Sequence, residues 1–283
     1  MSIVEAVLLG IVQGLTEFLP ISSTAHLTLS GKLLGIVDAY PPEAWTAFIA
    51  VMQLGTLAAV LVYFRKDIAA MTRALLRDIP GNGGGKGFGG YSAESRMALS
   101  IILGTLPVAL LGYAGKRVIE GALTKTTLVI VASLVTLALL LWVAEKVSRR
   151  VRQLQDVTWR DAVLIGTAQA LALIPGSSRS GTTLTAALLL GFTREAAARF
   201  SFLLSIPAVF ASGVYELTKI HGVTDLGAVN LAVATVVSAV TGYAAIAWLL
   251  RFLIRNTTMV FVWYRIALGL LLTLLVMQGV LKP

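Results

Sequence analysis

The sequence has no cysteine, only two histidines and few charged residues. The absence of cysteine excludes disulfide bonds, thiolate nucleophiles and cysteine-ligated metal sites. Charged residues make up 13% of the chain, about half of the fraction that is usual in soluble domains. This composition therefore argues against a globular domain with a fully water-exposed surface.

Apolar residues are abundant. They make up 57% of the 283 residues, and the mean hydropathy is +0.85. Several uninterrupted apolar runs are about 20 residues long, the length of a helix that crosses a bilayer. The pattern predicts an all-α polytopic membrane protein. The first run contains Glu5 and Glu17 and follows no basic segment, so it is not predicted to be a cleavable signal peptide.

The basic residues lie mostly in the connections between the apolar runs. A net charge of +9 and a pI of about 10.0 would suggest nucleic-acid binding in a soluble protein. Here most Lys and Arg residues fall on one side of the predicted membrane layout, as the positive-inside rule requires. We therefore expect membrane lipid rather than nucleic acid as their partner, and both chain termini on the outer side.

The apolar runs predict six transmembrane helices and two hairpins. Residues 3–34 and 161–191 each form two short arms joined by a proline and a polar tip, and each is predicted to be a re-entrant hairpin. Residues 65–96 are predicted to be a flexible basic loop. The spans are expected at about 44–64, 97–115, 126–143, 231–250 and 259–276, with one more between the third and fourth of these.

The second half of the sequence repeats the pattern of the first. Pro20–Ser23 matches Pro175–Ser178, for example. The predicted units are residues 1–155 and 156–283, each with one hairpin and three transmembrane helices. Because three is an odd number of crossings, the second unit is predicted to be inverted, and the two hairpin tips are predicted to meet near the membrane midplane.

The tip of the second hairpin, Pro175–Gly181, contains an arginine, three serines and two glycines but no carboxylate. Its guanidinium, hydroxyl and backbone N–H groups can all donate hydrogen bonds, which predicts an anion site. An ionised side chain at membrane depth is costly and is expected to be functional. The candidate residues of this hairpin are Gly176, Ser177, Ser178, Arg179, Ser180 and Thr183.

The first hairpin supplies complementary groups: an amide, a carboxylate, hydroxyls and an imidazole. Such a set suits phosphoryl transfer. In this interpretation Arg179 binds phosphate oxygens. Either Ser23 and His26 form a nucleophile–base pair, or His26 itself attacks the phosphorus. Glu17 orients the base or binds a divalent cation. The candidate residues of this hairpin are Gln13, Glu17, Ser22, Ser23, Thr24 and His26.

Each candidate also has a structural interpretation. Glu17 and Arg179 could form an ion pair without a chemical role, and His26 could make a hydrogen bond between helices. Ser22, Ser177 and Ser180 could cap helix N-termini. Gln13 recurs as Gln169 in the second half, which favours a structural role for both amides.

Two other phosphate-handling designs are excluded by the sequence. The chain has no glycine–lysine loop of the P-loop type. It also lacks the two histidines that another kind of membrane lipid phosphatase needs downstream of its arginine. The single histidine after Arg179 is His221, which is expected to lie in an exposed connection.

Gln13–His26 and Pro175–Gly181 together resemble the motifs of the bacterial undecaprenyl-diphosphate phosphatases, also called bacitracin-resistance proteins. The resemblance covers almost the whole chain, including Arg199–Pro207. It implies hydrolysis of undecaprenyl diphosphate to the monophosphate, which recycles the carrier lipid for peptidoglycan and other envelope polymers. The acidic motif of the family has Glu or Gln first and Glu four residues later, so Gln13 fits but leaves Glu17 as its single carboxylate.

The resemblance also implies dependence on a divalent cation, Mg²⁺ or Ca²⁺, and a site in the bacterial cytoplasmic membrane that is reached from the periplasmic side. An alternative function from another class is transport of a polyprenyl phosphate, since inverted repeats with paired hairpins are also a transporter architecture. Phosphate release by the purified protein would distinguish the two. The sequence leaves the oligomeric state open, with a homodimer among the expected forms.

Overall fold

The structure is a computed structural model that describes residues 1–78, 88–115, 126–217 and 227–281. No β-strand occurs in these ranges. His221 lies outside them, so its exposure stays a prediction. The α-helices in chain order are α1 (Ile3–Phe18), α2 (Ser23–Leu33), α3 (Ile36–Ala39), α4 (Pro42–Tyr63), α5 (Arg65–Asp78), α6 (Ala93–Ala114), α7 (Thr127–Val147), α8 (Trp159–Ala170), α9 (Arg179–Leu189), α10 (Arg194–Leu217), α11 (Ala228–Arg255) and α12 (Met259–Met277).

Six of the described helices are long and apolar enough to cross a membrane. The prediction of an all-helical, multi-pass membrane protein with six transmembrane helices is therefore confirmed. The candidate spans are Ala44–Tyr63, Ala93–Ala114, Thr127–Val147, Arg194–Tyr215, Ala228–Arg255 and Met259–Met277.

The two predicted hairpins are pairs of shorter helices. α1 has 16 residues and α2 has 11, while α8 and α9 have 12 and 11. At 1.5 Å per residue, α2, α8 and α9 reach only about half of the ~30 Å apolar core of a bilayer. That each pair enters and leaves the membrane on one side stays a prediction, as does the inversion between the two halves.

The two hairpin tips share an unusual backbone conformation. Ser22 and Ser178 have φ values of 74° and 68°, a region that is strained for a residue with a Cβ atom. Each serine is the N-cap of the next helix, and its hydroxyl accepts a backbone N–H bond from the residue three positions later. The capping role is thus confirmed for Ser22, whereas at the second tip the cap is Ser178 rather than the expected Ser177 or Ser180. Strained residues of this kind often lie at functional sites.

Each hairpin packs mainly against the other half of the chain: α1 contacts α11, and α8 contacts α6. Glycines allow these close approaches. A Cβ atom on Gly14 would lie 2.7 Å from the backbone nitrogen of Gly242, and one on Gly166 would lie 1.9 Å from the backbone oxygen of Gly104. A larger residue at either position would push the helices apart and displace the adjoining hairpin tip.

The prediction of a flexible loop over residues 65–96 is wrong for its first part, which is helix α5, and for its last four residues, which begin helix α6. Residues 79–87 of the predicted loop lie outside the described ranges. Ile68, Met71 and Ala74 recur every three residues and so share one helix face. Met71 and Ala74 are buried, and Ile68 packs against the main hydrophobic core. The basic residues that suggested a loop occupy the exposed face of this helix.

Candidate active site

The two hairpins are joined by an ion pair. Arg179 Nη2 donates a hydrogen bond to Glu17 Oε1 at 2.6 Å, and the two side chains are only 18% and 6% exposed. Glu17 lies in the last turn of α1, and Arg179 is the first residue of α9. A buried guanidinium needs such a partner, because its desolvation is otherwise uncompensated.

The other carboxylate oxygen of Glu17 accepts two more hydrogen bonds. Gln13 Nε2 donates to Glu17 Oε2 at 3.0 Å from one turn earlier on α1. Ser23 Oγ, at the start of α2, donates to the same oxygen at 2.8 Å. The Ser23 proton therefore already points at a base, which is the arrangement that a nucleophilic hydroxyl requires.

A polar cavity of about 190 Å³ lies beside this cluster. It is several times larger than the ~30 Å³ that one water occupies in the liquid, so a phosphoryl group with water fits in it. Gln53, Gln169 and Ser212 contribute further polar groups to its wall. The predicted site residues that line the cavity are Glu17, Ser22, Ser23, Thr24, Gly176, Ser178 and Arg179.

Gly176 and Ser178 shape the floor of this cavity. Gly176 has a φ of 90°, and a Cβ atom there would lie 2.3 Å from Ser133 Oγ on α7. Only glycine fits this position without moving the tip. Ser178 Oγ accepts the backbone N–H of Gly181 at 3.2 Å, which fixes the first turn of α9 and hence the position of Arg179.

Three predicted binding residues hold α9 in place and do not line the cavity. Thr183 Oγ1 donates to the backbone oxygen of Arg179 at 2.8 Å. Ser180 Oγ donates to the backbone oxygen of Leu19 at 3.0 Å, which ties the two tips together. Ser177 is buried, and its backbone oxygen accepts a bond from Arg265.

His26 and Ser23 do not form the predicted pair among the described hydrogen bonds. His26 Nδ1 lies 2.7 Å from the backbone oxygen of Ser22, and Nε2 lies 2.6 Å from Tyr264 Oη. Since a carbonyl only accepts, we assign the ring proton to Nδ1, and Tyr264 then donates to Nε2. The two rings stack with their centroids 5.5 Å apart.

His26 and Tyr264 belong to the wall of a second, apolar cavity of about 630 Å³. Its other walls come from α1, α11 and α12, including Leu15, Ala245 and Trp248. The polar cavity contacts the start of α2 at Ser23 and Thr24, and the apolar cavity contacts the same helix at His26. One short helix thus borders both spaces.

Arg265 is a central residue that the sequence interpretation missed. It is fully buried in α12. Its guanidinium donates to the backbone oxygens of Leu134 at 3.1 Å, Pro20 at 3.4 Å and Ser177 at 3.1 Å. It therefore connects both hairpin tips to α7. The available signal was an arginine inside an otherwise apolar run, which marks an intramembrane site.

The donor set around Glu17 fits only a cation that takes most of its ligands from elsewhere. Across the described ranges, no three His, Asp or Glu side chains cluster as a metal site. Glu17 supplies one carboxylate, and Gln13 Oε1 beside it is buried without a hydrogen-bond partner. Mg²⁺ commonly binds one or two carboxylates and completes its shell with water and phosphate, so these two residues fit such an ion.

The fold and this site define an integral membrane protein with a buried polar site suited to an anionic group. Comparison with known protein families identifies the protein more narrowly than the fold and the site do. The profile of the family described as "Bacitracin resistance protein BacA" matches residues 6–271. The chain belongs to this family, as its motifs predict.

Similar proteins cover nearly the full length of the chain. One from Syntrophobacter fumaroxidans, named undecaprenyl-diphosphatase, is 53% identical over 95% of both chains. A protein of the same name from Myxococcus xanthus is 52% identical and covers all of this chain and 92% of its own. A third from Chloroherpeton thalassium, again with this name, is 49% identical over 100% and 99% of the two chains.

Proposed function

We propose that this protein hydrolyses undecaprenyl diphosphate to undecaprenyl phosphate and inorganic phosphate, which returns the carrier lipid to cell-wall synthesis. The observation that carries the proposal is that Glu17 contacts both Arg179 and Ser23. An anion-binding group and a polarised hydroxyl therefore share one carboxylate. The names of the full-length relatives favour this hydrolase over the transporter alternative.

Arg179 is the proposed phosphate-binding residue. A guanidinium has five N–H donors. The described bonds use Nη2 for Glu17 and Nη1 for the backbone oxygen of Ser205 at 3.4 Å. Arg179 can therefore bind non-bridging phosphate oxygens without giving up Glu17. The backbone around Gly176 and the Ser178 hydroxyl complete this side of the cavity.

Ser23 is the proposed nucleophile and Glu17 its base. Ser23 Oγ attacks the terminal phosphorus while its proton passes to Glu17. The bond from that phosphorus to the bridging oxygen breaks, and undecaprenyl phosphate leaves. Water then hydrolyses the phosphoserine and releases inorganic phosphate. Two other routes remain as outcomes of a trapping experiment: a phosphohistidine at His26, or direct attack by water with no phosphoenzyme.

A divalent cation, Mg²⁺ or Ca²⁺, is part of the proposal. Glu17 and Gln13 Oε1 would hold it. When bound, it would neutralise charge on the phosphate oxygens.

The isoprenoid chain is proposed to lie in the apolar cavity. Its lining is almost free of polar atoms, and it begins next to His26, one turn after Ser23. A diphosphate between Arg179 and Ser23 would thus have its lipid chain directed towards α11 and α12.

We further propose a location in the bacterial cytoplasmic membrane with the site open to the periplasmic side. A homodimer stays a prediction.

The test is phosphate release from undecaprenyl diphosphate by the protein purified in detergent. We expect inorganic phosphate and the lipid monophosphate in equal amounts. The same protein is reconstituted in vesicles to measure movement of lipid phosphate between leaflets. Movement without phosphate release would contradict the proposed hydrolase and support the transporter.

A further inference from the structure

Gln169 is the most unusual polar residue in the wall of the cavity. It lies near the end of α8 and is 0% exposed. It lines the same cavity as Glu17 and Arg179. Neither Nε2 nor Oε1 of its amide has a hydrogen-bond partner, so the residue is buried next to an anion site with its full hydrogen-bonding capacity unused.

Its counterpart in the first half is used differently. Gln13 donates to Glu17 at 3.0 Å, one turn further along α1. In the second half the residue four positions after Gln169 is Leu173, which cannot accept a hydrogen bond, and the proline follows one residue sooner. The repeat therefore preserves the amide but not its partner. This argues against an equivalent structural role for the two residues.

Leaving an amide buried and unpaired is costly. Each unsatisfied polar group costs about 1–3 kcal/mol, and native proteins pair nearly all such groups. An amide that has no partner in the protein but lies against a polar cavity can be satisfied by the molecule that enters the cavity. Gln169 thus has the properties of a binding residue rather than of a core residue.

We propose that Gln169 is a substrate-binding residue whose Nε2 donates to a non-bridging oxygen of the diphosphate. The inference rests on the proposed function and assigns one more donor at the same site. A diphosphate carries several anionic oxygens, and Arg179 is the single cationic side chain in the described lining of the cavity. A neutral donor on α8 adds a hydrogen bond without placing a second charge in the membrane.

The test compares the wild-type protein with Gln169→Leu, Gln169→Glu and a control, Ser100→Ala. Ser100 is also fully buried with an unpartnered oxygen but lies on α6, outside the lining of the cavity. Three quantities are measured in detergent: the melting temperature, kcat/KM for undecaprenyl diphosphate, and the rise in melting temperature caused by methylene diphosphonate, an analogue that is not hydrolysed.

We expect Gln169→Leu to keep or raise the melting temperature, since it removes an unsatisfied buried group. Its kcat/KM should fall about 10- to 100-fold, as for loss of a hydrogen bond to a charged group, and the stabilisation by the diphosphonate should shrink. In Gln169→Glu, kcat/KM should fall at least as much, because the oxygens of an ionised carboxylate cannot donate a hydrogen bond. Ser100→Ala should match the wild type in activity and in the response to the diphosphonate.

A Gln169→Leu protein with wild-type kcat/KM and a wild-type response to the diphosphonate would overturn the proposal. A lower melting temperature without the ligand would also overturn it, because the amide would then have a partner in the protein. Wild-type activity in Gln169→Glu would exclude the donor role. If the wild-type protein releases no phosphate, the proposed function fails, while the diphosphonate measurement still tests Gln169 on its own.

Discussion

The carboxylate of Glu17 accepts a hydrogen bond from the guanidinium of Arg179 at 2.6 Å, although 162 positions separate them in the sequence. The same carboxylate accepts the Ser23 hydroxyl. A purely structural ion pair would not need that serine. The three groups together suit a phosphoryl group that is bound by one hairpin and attacked from the other.

Replacing Arg179 by lysine should reduce kcat/KM about 10²- to 10³-fold, the usual cost of removing one preorganised donor from a charged transition state. Lysine keeps the charge but cannot contact Glu17 and a phosphate oxygen with a planar fork. Phosphate release measures the loss. The control is Arg199→Lys, since Arg199 pairs with Asp67 at 3.5 Å on a partly exposed surface. Equal activity in both variants would argue against Arg179 as the phosphate ligand.

Ser23→Ala should abolish any covalent intermediate and nearly all phosphate release. The protein is mixed with labelled undecaprenyl diphosphate, quenched and digested, and the modified residue is located by mass spectrometry. Phosphate on Ser23 is expected in the wild type and none in the variant. Ser30→Ala, two turns further along α2, is the control. Label on His26, or normal turnover by Ser23→Ala, would contradict the proposed nucleophile.

Much of this architecture could be predicted because hydropathy is a local property. Six spans and two short pairs of helices follow from run lengths, and the repeat pairs Pro20–Ser23 with Pro175–Ser178. Helix α5 was missed because its arginines suggested a loop, although Ile68, Met71 and Ala74 have a helical spacing. In that segment the pattern of apolar residues was more informative than the number of charges.

The partners inside the site could not be predicted in the same way. Sequence spacing puts Ser23 and His26 near one another on α2, but it does not show which side chains reach them from other helices. Tyr264, 238 positions from His26 in the sequence, is hydrogen-bonded to His26 Nε2. The Ser23 hydroxyl donates its hydrogen bond to Glu17 instead. Such contacts depend on the rotation of each helix about its axis, which a few polar residues do not determine.

Tyr264→Phe tests the role of His26. The change removes one hydroxyl that is bonded to His26 at 2.6 Å and leaves the stacked ring in place. If that bond positions His26 as the alternative nucleophile, kcat should fall about 2- to 10-fold, the value of one neutral hydrogen bond, with little change in KM. Tyr243→Phe, which packs against Tyr63, is the control. A lower melting temperature with unchanged kcat would instead indicate that the pair is structural.

Asp78 should make the stability of the contact between the end of α5 and the start of α6 dependent on pH. Ser92 donates to its carboxylate through Oγ at 2.6 Å and through the backbone N–H at 3.0 Å, and Ser95 Oγ donates at 2.7 Å. These bonds hold the pKa of Asp78 well below its ordinary value. The ionised form therefore stabilises the folded state above about pH 3.9, and this contribution is lost as the pH falls towards the lower folded-state pKa.

Asp78→Asn should accordingly melt at a lower temperature than the wild type at neutral pH. The difference should shrink progressively below about pH 4, because the wild-type carboxyl group then becomes protonated too. Thermal unfolding across this pH range measures the difference, and Glu94→Gln, near the start of α6, is the control. A gap that stays constant down to low pH would show that ionisation of Asp78 is not its cause.

Arg265→Met should destabilise the protein and disorder the site at the same time. The variant leaves the backbone oxygens of Pro20 and Ser177 without the Arg265 donor, and each unsatisfied buried group costs about 1–3 kcal/mol. Arg265→Lys keeps the charge but cannot reach three carbonyls with one ammonium group, so it should recover only part of the stability. Arg251→Met, at an exposed position of α11, is the control for loss of a positive charge.

We expect a clear drop in melting temperature and a loss of phosphate release for Arg265→Met, a partial return of both for Arg265→Lys, and neither effect for Arg251→Met. If Arg265→Met instead kept the wild-type melting temperature but lost activity, Arg265 would act through its charge on the phosphate rather than by holding the two tips together.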